Sequence, residues 1–128
     1  MRHKFGTGTP WEESVGYSRL IRVGNVVEVA GTVAADKDGH PVCEGSVYEQ
    51  SVYIFKKIER ALHEAGASLK DVVRTRAYIT DISRYQEFGK AHNEYFESVR
   101  PVSTLVEVSR LIDPRYLIEI EVSALLEG

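Results

Sequence analysis

A helix that is apolar along only one stripe must press that stripe against something, and this chain carries two of them, each following a run that alternates with a period of two. Ser46, three residues ahead of Glu49, reads as a capping box that opens the first helix. Its inward stripe is Val47, Ser51, Ile54, Phe55, Ile58, Ala61, Leu62 and Ala65, and Gly66 supplies the stop. The second helix is expected after Asp81 or Ser83, with Ser83 and Gln86 forming another capping box. Its stripe is Tyr85, Phe88, Gly89, His92, Tyr95, Phe96 and Val99, and Pro101 breaks it. Each helix is expected to run about five turns.

The alternating, β-branched runs at 17–23 and 26–33 flank Gly24-Asn25, a two-residue hairpin turn. Further strands are expected at 72–80, 103–110 and 116–125, the last two linked through Asp113-Pro114-Arg115. Residues 1–14, with Gly6, Gly8 and Pro10 and no periodicity, are expected to form an irregular arm. The order is ββαβαββ. It describes an α+β fold in which two helices cover one face of a mixed sheet through right-handed crossovers.

Covering one face leaves the other. Sorting each strand by period two sets Val27, Val29 and Gly31 against Glu28, Ala30 and Thr32, and Val73, Thr75, Ala77 and Ile79 against Arg74, Arg76, Tyr78 and Thr80. Likewise Ile118, Ile120 and Val122 oppose Glu119, Glu121 and Ser123, while Ser103, Leu105 and Glu107 share a side that is assigned to the polar face. Charge gathers on the side away from the helices. Two readings stay open: a solvated face with cross-strand ion pairs, or a face that packs against copies of itself, with Arg-Glu pairs fixing register and a ligand pocket at the seam.

Composition narrows the function classes. A chain of 128 residues, 43% hydrophobic and 27% charged, is enough for one domain spanning 1–128. Net charge −3 lacks the positive field on which non-specific nucleic-acid binding depends, so nucleic acid is not expected as a main partner. No apolar run reaches spanning length and no signal-like segment opens the chain, so no membrane partner is expected and the expected location is cytoplasmic. Cys43 stands alone, and His3, His40, His63 and His92 are scattered, so no disulfide and no metal site are expected. His92, on the inner stripe of the second helix, is expected to be a satisfied, half-buried histidine.

The chain resembles the RidA family, also called YjgF or endoribonuclease L-PSP-like. The resemblance runs over nearly the whole length: Gly16-Tyr17, Val23-Gly24-Asn25, Ala65-Gly66-Ala67-Ser68-Leu69, Asp71-Val72-Val73-Arg74-Thr75 and Asp81-Ile82. Its most specific part is the closing pair, Pro101 to Leu111 and Ile118-Glu119-Ile120-Glu121. The resemblance implies a chorismate-mutase-like homotrimer with its sheets inside and its helices outside. It also implies small-molecule ligands in clefts between subunits, no cofactor, and hydrolysis of enamine and imine intermediates to keto acids and ammonia.

Carried over residue by residue, the resemblance puts the water-positioning glutamate at Glu119 and the cleft tyrosine at Tyr17. Ala30-Gly31 and Gly89 fall at further ligand-side positions. The arginine that forks onto a substrate carboxylate falls on Ser103, and a position often held by cysteine falls on Leu105. A serine cannot make two parallel bonds to a carboxylate. Arg74, Arg76 or Arg100 is a candidate replacement; otherwise a cleft with Ser103, Glu107 and Glu119 is acidic and favours a neutral or amine-bearing ligand. The resemblance leaves an altered hydrolase beside a non-catalytic metabolite-binding trimer, with RNA cleavage the least favoured reading.

Overall fold

The computed structural model of the chain describes residues 1–127. Strands β1 (Arg2–Phe5), β2 (Leu20–Val23), β3 (Val26–Thr32), β4 (Val72–Ile79), β5 (Val102–Glu107) and β6 (Ile118–Leu125) form one sheet in the order β1-β2-β3-β6-β4-β5. Helices are α1 (Pro10–Val15), α2 (Val47–Glu64) and α3 (Tyr85–Phe96). Every strand pair is antiparallel except β4 and β5. That parallel pair needs a crossover, and α3 supplies it. α2 links β3 to β4, two strands that run parallel because each is antiparallel to the β6 inserted between them. The class is α+β with a mixed sheet, as the alternation implied.

Packing explains why α2 and α3 lie on the same face. Ile54, Phe55, Ile58 and Leu62 of α2 are 0% exposed and share one cluster with Ile79, Ile118 and Ile120 of the sheet and with Phe88, Ala91 and Phe96 of α3. Each such side chain contributes about 1.5–3 kcal/mol on burial. Ser46 Oγ accepts from Glu49 N at 3.0 Å at the start of α2, and Gly66, at φ 81°, turns the chain off its end. Gly24, at φ 59°, makes the β2–β3 turn, which requires the left-handed region.

Four expectations need correction. First, residues 1–14 are not irregular: Arg2–Phe5 pairs with β2 and Pro10–Val15 is helical. The Glu12 carboxylate organises this arm, accepting from Thr7 N at 3.0 Å, Thr7 Oγ1 at 2.7 Å and Thr9 Oγ1 at 2.7 Å. Elements this short show no readable period, and the pairing with β2 is what selects them. Second, the Ser83–Gln86 box does not form. Asp81 accepts from Ser83 N at 3.0 Å and holds a 3-10 turn over Ile82–Arg84, so α3 starts at Tyr85 and is 12 residues long, short of five turns. Tyr85 is 53% exposed rather than inward.

Third, irregularities between Val29 and Thr32 and between Val72 and Arg74 reset the alternation. Thr32 is thereby buried, at 1% exposure, and Val73 is exposed, at 46%. Fourth, Ser103, Leu105 and Glu107 are opposite Thr75, Ala77 and Ile79, so they face the helices rather than the charged side. Period two says which residues share a side but not which side they take. Here pairing with β4 decides it against composition.

Gln50 fastens the segment that precedes β6. Fully buried on α2, it donates from Nε2 to Arg115 O at 2.8 Å and accepts at Oε1 from Leu117 N at 2.9 Å. Gln50→Leu strands both backbone groups in an apolar setting, and urea denaturation should register a loss of about 2–4 kcal/mol.

Candidate functional site

Glu119 is placed by its neighbours. Ile118 and Ile120 are both 0% exposed against the helices, so the side chain between them must point out of the opposite face. There it meets Gly31, whose missing side chain is a requirement of space: a Cβ at Gly31 would collide with the Glu119 carboxylate. Both residues line a cavity of about 240 Å³ at the end of the sheet. Thr9, Tyr17, Arg19 and Lys57 supply the rest of its polar wall, and Trp11, Val15, Val33 and Ile112 its apolar wall.

Arg19 binds the polar wall together. It is 6% exposed and donates from one terminal nitrogen to Gly31 O at 2.9 Å and Thr32 Oγ1 at 2.8 Å, and from the other to Tyr17 Oη at 3.2 Å. Its guanidinium also lies 5.5 Å from the centre of the Tyr17 ring. Arg19 Nε is buried without an acceptor, 3.8 Å from Glu12 Oε2. Across the cavity, Lys57 Nζ donates to Val33 O at 3.3 Å and Ala35 O at 2.9 Å.

These positions set the proton affinities. Burial pushes the Glu119 carboxyl above the ordinary carboxylate range; Arg19 opposes that shift and Glu121 adds to it. Burial, reinforced by Arg19, lowers Lys57 to about 8. The cavity therefore holds a carboxyl that keeps its proton to higher pH than an exposed carboxylate does, a buried guanidinium and an ammonium group that titrates at about 8.

The structure brings together Tyr17, Gly31 and Glu119 of the residues singled out by sequence. Ala30 lines an adjoining hollow on the outer face with Tyr17, Glu28 and Glu121. The others are elsewhere in the chain. Gly89 is exposed on α3 with open space around its α-carbon. Ser103 Oγ accepts from Thr75 Oγ1 at 2.7 Å, Leu105 packs on the core, and Glu107 accepts from Ile82 N at 3.0 Å.

None of the three candidate replacement arginines lines the cavity among the described residues. Arg76 lies 3.9 Å from Glu121, which also accepts from Tyr78 Oη, and Arg100 is exposed at φ 56° where α3 gives way to β5. The acidic cleft expected of Ser103, Glu107 and Glu119 is not assembled within one chain, and the cations beside Glu119 reverse its electrostatic character. Arg19 and Lys57 escaped the sequence reading. Arg19 had a signal, two residues from Tyr17 on the same side of an extended run; Lys57, at the margin of the α2 stripe, reads as an ordinary surface lysine.

His92 behaves as expected. It is half-buried among Phe55, Phe88 and Phe96, its Nε2 lies 2.9 Å from Thr75 Oγ1, and burial lowers its pKa. Asp36, Asp38 and His40 bring their ligating atoms within 4.8 Å of one another, a proximity the scattered spacing of the histidines did not reveal. Asp36 Oδ1 already accepts from the amides of Asp38 and His40, each at 2.9 Å, as an ordinary polar turn does.

Comparison with known proteins agrees with this architecture. The family model described as Endoribonuclease L-PSP matches residues 9–126. An uncharacterised protein of Streptomyces coelicolor is 42% identical over 92% of this chain and 87% of its own. A RutC family protein of Pyrococcus abyssi is 38% identical over 87% of each. Among solved structures, Rv2704 of Mycobacterium tuberculosis, described as a member of the highly conserved YjgF/YER057c/UK114 family, superposes with a TM-score of 0.89 at 44% identity, covering 98% of this chain and all (100%) of that one.

Two variants test the site's construction. Gly31→Ala should fold with a melting temperature close to the parent's, because the flexible Glu119 carboxylate can yield, yet it should displace that carboxylate and depress any activity depending on it. Glu119 also carries a signature in stability. With its pKa raised on folding, the native state binds more protons than the unfolded chain above the ordinary carboxylate range, so this group's contribution declines as pH rises through that window. Urea denaturation at about pH 5 and about pH 8 should show a smaller decline in Glu119→Gln than in the parent.

Proposed function

We propose that this chain, which belongs to the endoribonuclease L-PSP family of RidA and YjgF proteins, hydrolyses enamine or imine intermediates in clefts formed between copies of itself. The observation that carries this reading is the division of the site. Tyr17, Gly31 and Glu119 converge on one cavity, whereas Gly89, Ser103 and Leu105 lie away from it, and a second copy is the proposed source of those positions. Exposed apolar side chains at the cavity rim and on the edge strand, Val15 at 73%, Ile112 at 74% and Val102 at 56%, support association. So does the charged outer face, where Arg76, Tyr78 and Glu121 already pair. The proposed assembly is a homotrimer, and the proposed setting is the cytoplasm. No helix among the described residues is long and apolar enough to cross a membrane.

In the proposed reaction Glu119 holds a water against the C=N carbon and takes its proton as the new C–O bond forms. The proton passes to nitrogen, the C–N bond of the resulting carbinolamine breaks, and a carbonyl compound and ammonia leave. A carboxyl with a raised pKa is suited to both halves of this exchange. Ser103, in place of a forked cation, marks a substrate range different from that of relatives bearing arginine there. A second reading, a trimer that binds a metabolite without chemistry, is favoured by that same serine.

Imines generated by an amino-acid oxidase from a panel of amino acids should release keto acid and ammonia faster with the protein present, over a range of side chains different from that of relatives bearing arginine at the Ser103 position. Glu119→Gln should lower this rate about 100-fold or more. Light scattering should give three times the chain mass at micromolar concentration. A stable single chain would remove the clefts and the proposal with them. Binding without turnover would establish the second reading.

A further inference from the structure

From the charges around the cavity we infer that Lys57, supported by Arg19, is the anion anchor of this site, so that its ligand is a monoanionic carboxylic acid with a branched or aromatic apolar body. The inference rests on the proposed function for the identity of the site, and it names the substrate class.

Lys57 is a cation in want of an anion. Two of its three N–H donors go to the carbonyls of Val33 and Ala35, and among the described residues no carboxylate lies within ion-pairing distance of it. The acids that bear on it are spoken for. Glu12, on α1, is held by Thr7 and Thr9, and Asp36, in the turn beyond β3, by the amides of Asp38 and His40. On its own helix Arg60 adds further positive charge, and the Tyr53 ring lies 6.0 Å from Nζ. Across the cavity stand Arg19 and Glu119, the latter pushed toward its neutral form by burial.

Arg19 is a fixed source of field. Its two terminal nitrogens are bound to Gly31, Thr32 and Tyr17, and its buried Nε lies 3.8 Å from the Glu12 carboxylate, beyond hydrogen-bond distance. Glu12 offsets the Arg19 charge, whereas Lys57 has no carboxylate of its own among the described residues, and an anion bound in the cavity supplies one. An amine-bearing ligand would add a third positive charge. A carboxylate accepts the remaining Lys57 donor while Trp11, Val15 and Ile112 cover an apolar body. At about 240 Å³ the cavity suits a small metabolite, being smaller than the ~300–1,000 Å³ of sites for drug-sized molecules. The anchor thus stands on α2 of the chain that carries Glu119, whereas the resemblance placed a clamp at Ser103.

Calorimetric titration of the assembled protein with 4-methyl-2-oxopentanoate and with its uncharged amide tests this. The acid should bind at least tenfold more tightly than the amide at about pH 7, and its affinity should fall as pH rises through about 8, where Lys57 loses its proton. Lys57→Met should abolish the preference by weakening the acid alone. Lys57→Arg should keep the preference and remove the fall with pH. Lys56→Met, at the exposed neighbouring position, should change neither.

Equal binding of acid and amide by the parent, no binding of the acid at millimolar concentration, or equal weakening of both ligands by Lys57→Met would each overturn the inference. Should Lys57→Met fail to fold, a parent-like fall with pH in Lys57→Arg would overturn it as well. The proposed reaction fails separately: Lys57-dependent binding without imine hydrolysis refutes the chemistry alone, and hydrolysis with Lys57-independent binding refutes the anchor alone.

Discussion

Strand β6 is the member on which the rest of the molecule depends. It sits between β3 and β4, so it bonds on both edges, and its residues alternate between two unlike environments. Ile118, Ile120, Val122 and Ala124 close the core beneath α2 and α3; Glu119, Glu121 and Ser123 emerge on the far side. The core thereby aims the carboxylates. A one-residue slip would bury two glutamates and expose three large apolar side chains, a cost far above the stability of a domain this size. Gln50 reinforces the register from the helix layer by holding the backbone just before the strand.

Once aimed, Glu119 acquires its chemistry from what surrounds it. Burial raises its pKa above the ordinary carboxylate range, the Arg19 guanidinium opposes that rise and Glu121 adds to it. Arg19 at the same time fixes the Tyr17 hydroxyl and the carbonyl of Gly31, so one side chain sets both the electrostatics and the shape of the polar wall. Removing it would leave several partners unsatisfied at once, which is why its effect would not divide neatly into separate contacts.

Much of this was legible from the residues, for identifiable reasons. α2 was legible because Ser46, an unbroken stripe and Gly66 agree; the hairpin was legible because Gly24-Asn25 admits only a tight turn. Glu119 and Gly31 were marked by their places in a resemblance, and Tyr17 with them. What escaped was set by partners distant in sequence. Thr32 and Val73 changed sides because of ladder irregularities that no local pattern shows, and β5 took its facing from β4. Lys57 carries nothing in its neighbourhood to separate it from Lys56; only the fold brings it to the carboxyl on β6.

The short helix α1 has a consequence for divergence. It contributes no buried residue to the main core, yet Trp11 and Val15 form part of the cavity's apolar wall, and the Glu12 bonds that hold it are local. Folding free energy and ligand fit are therefore written in different stretches of the polypeptide. Descendants of this chain can redraw the outline of what they accept by altering a handful of early positions, leaving the sheet that carries the reactive carboxyl undisturbed.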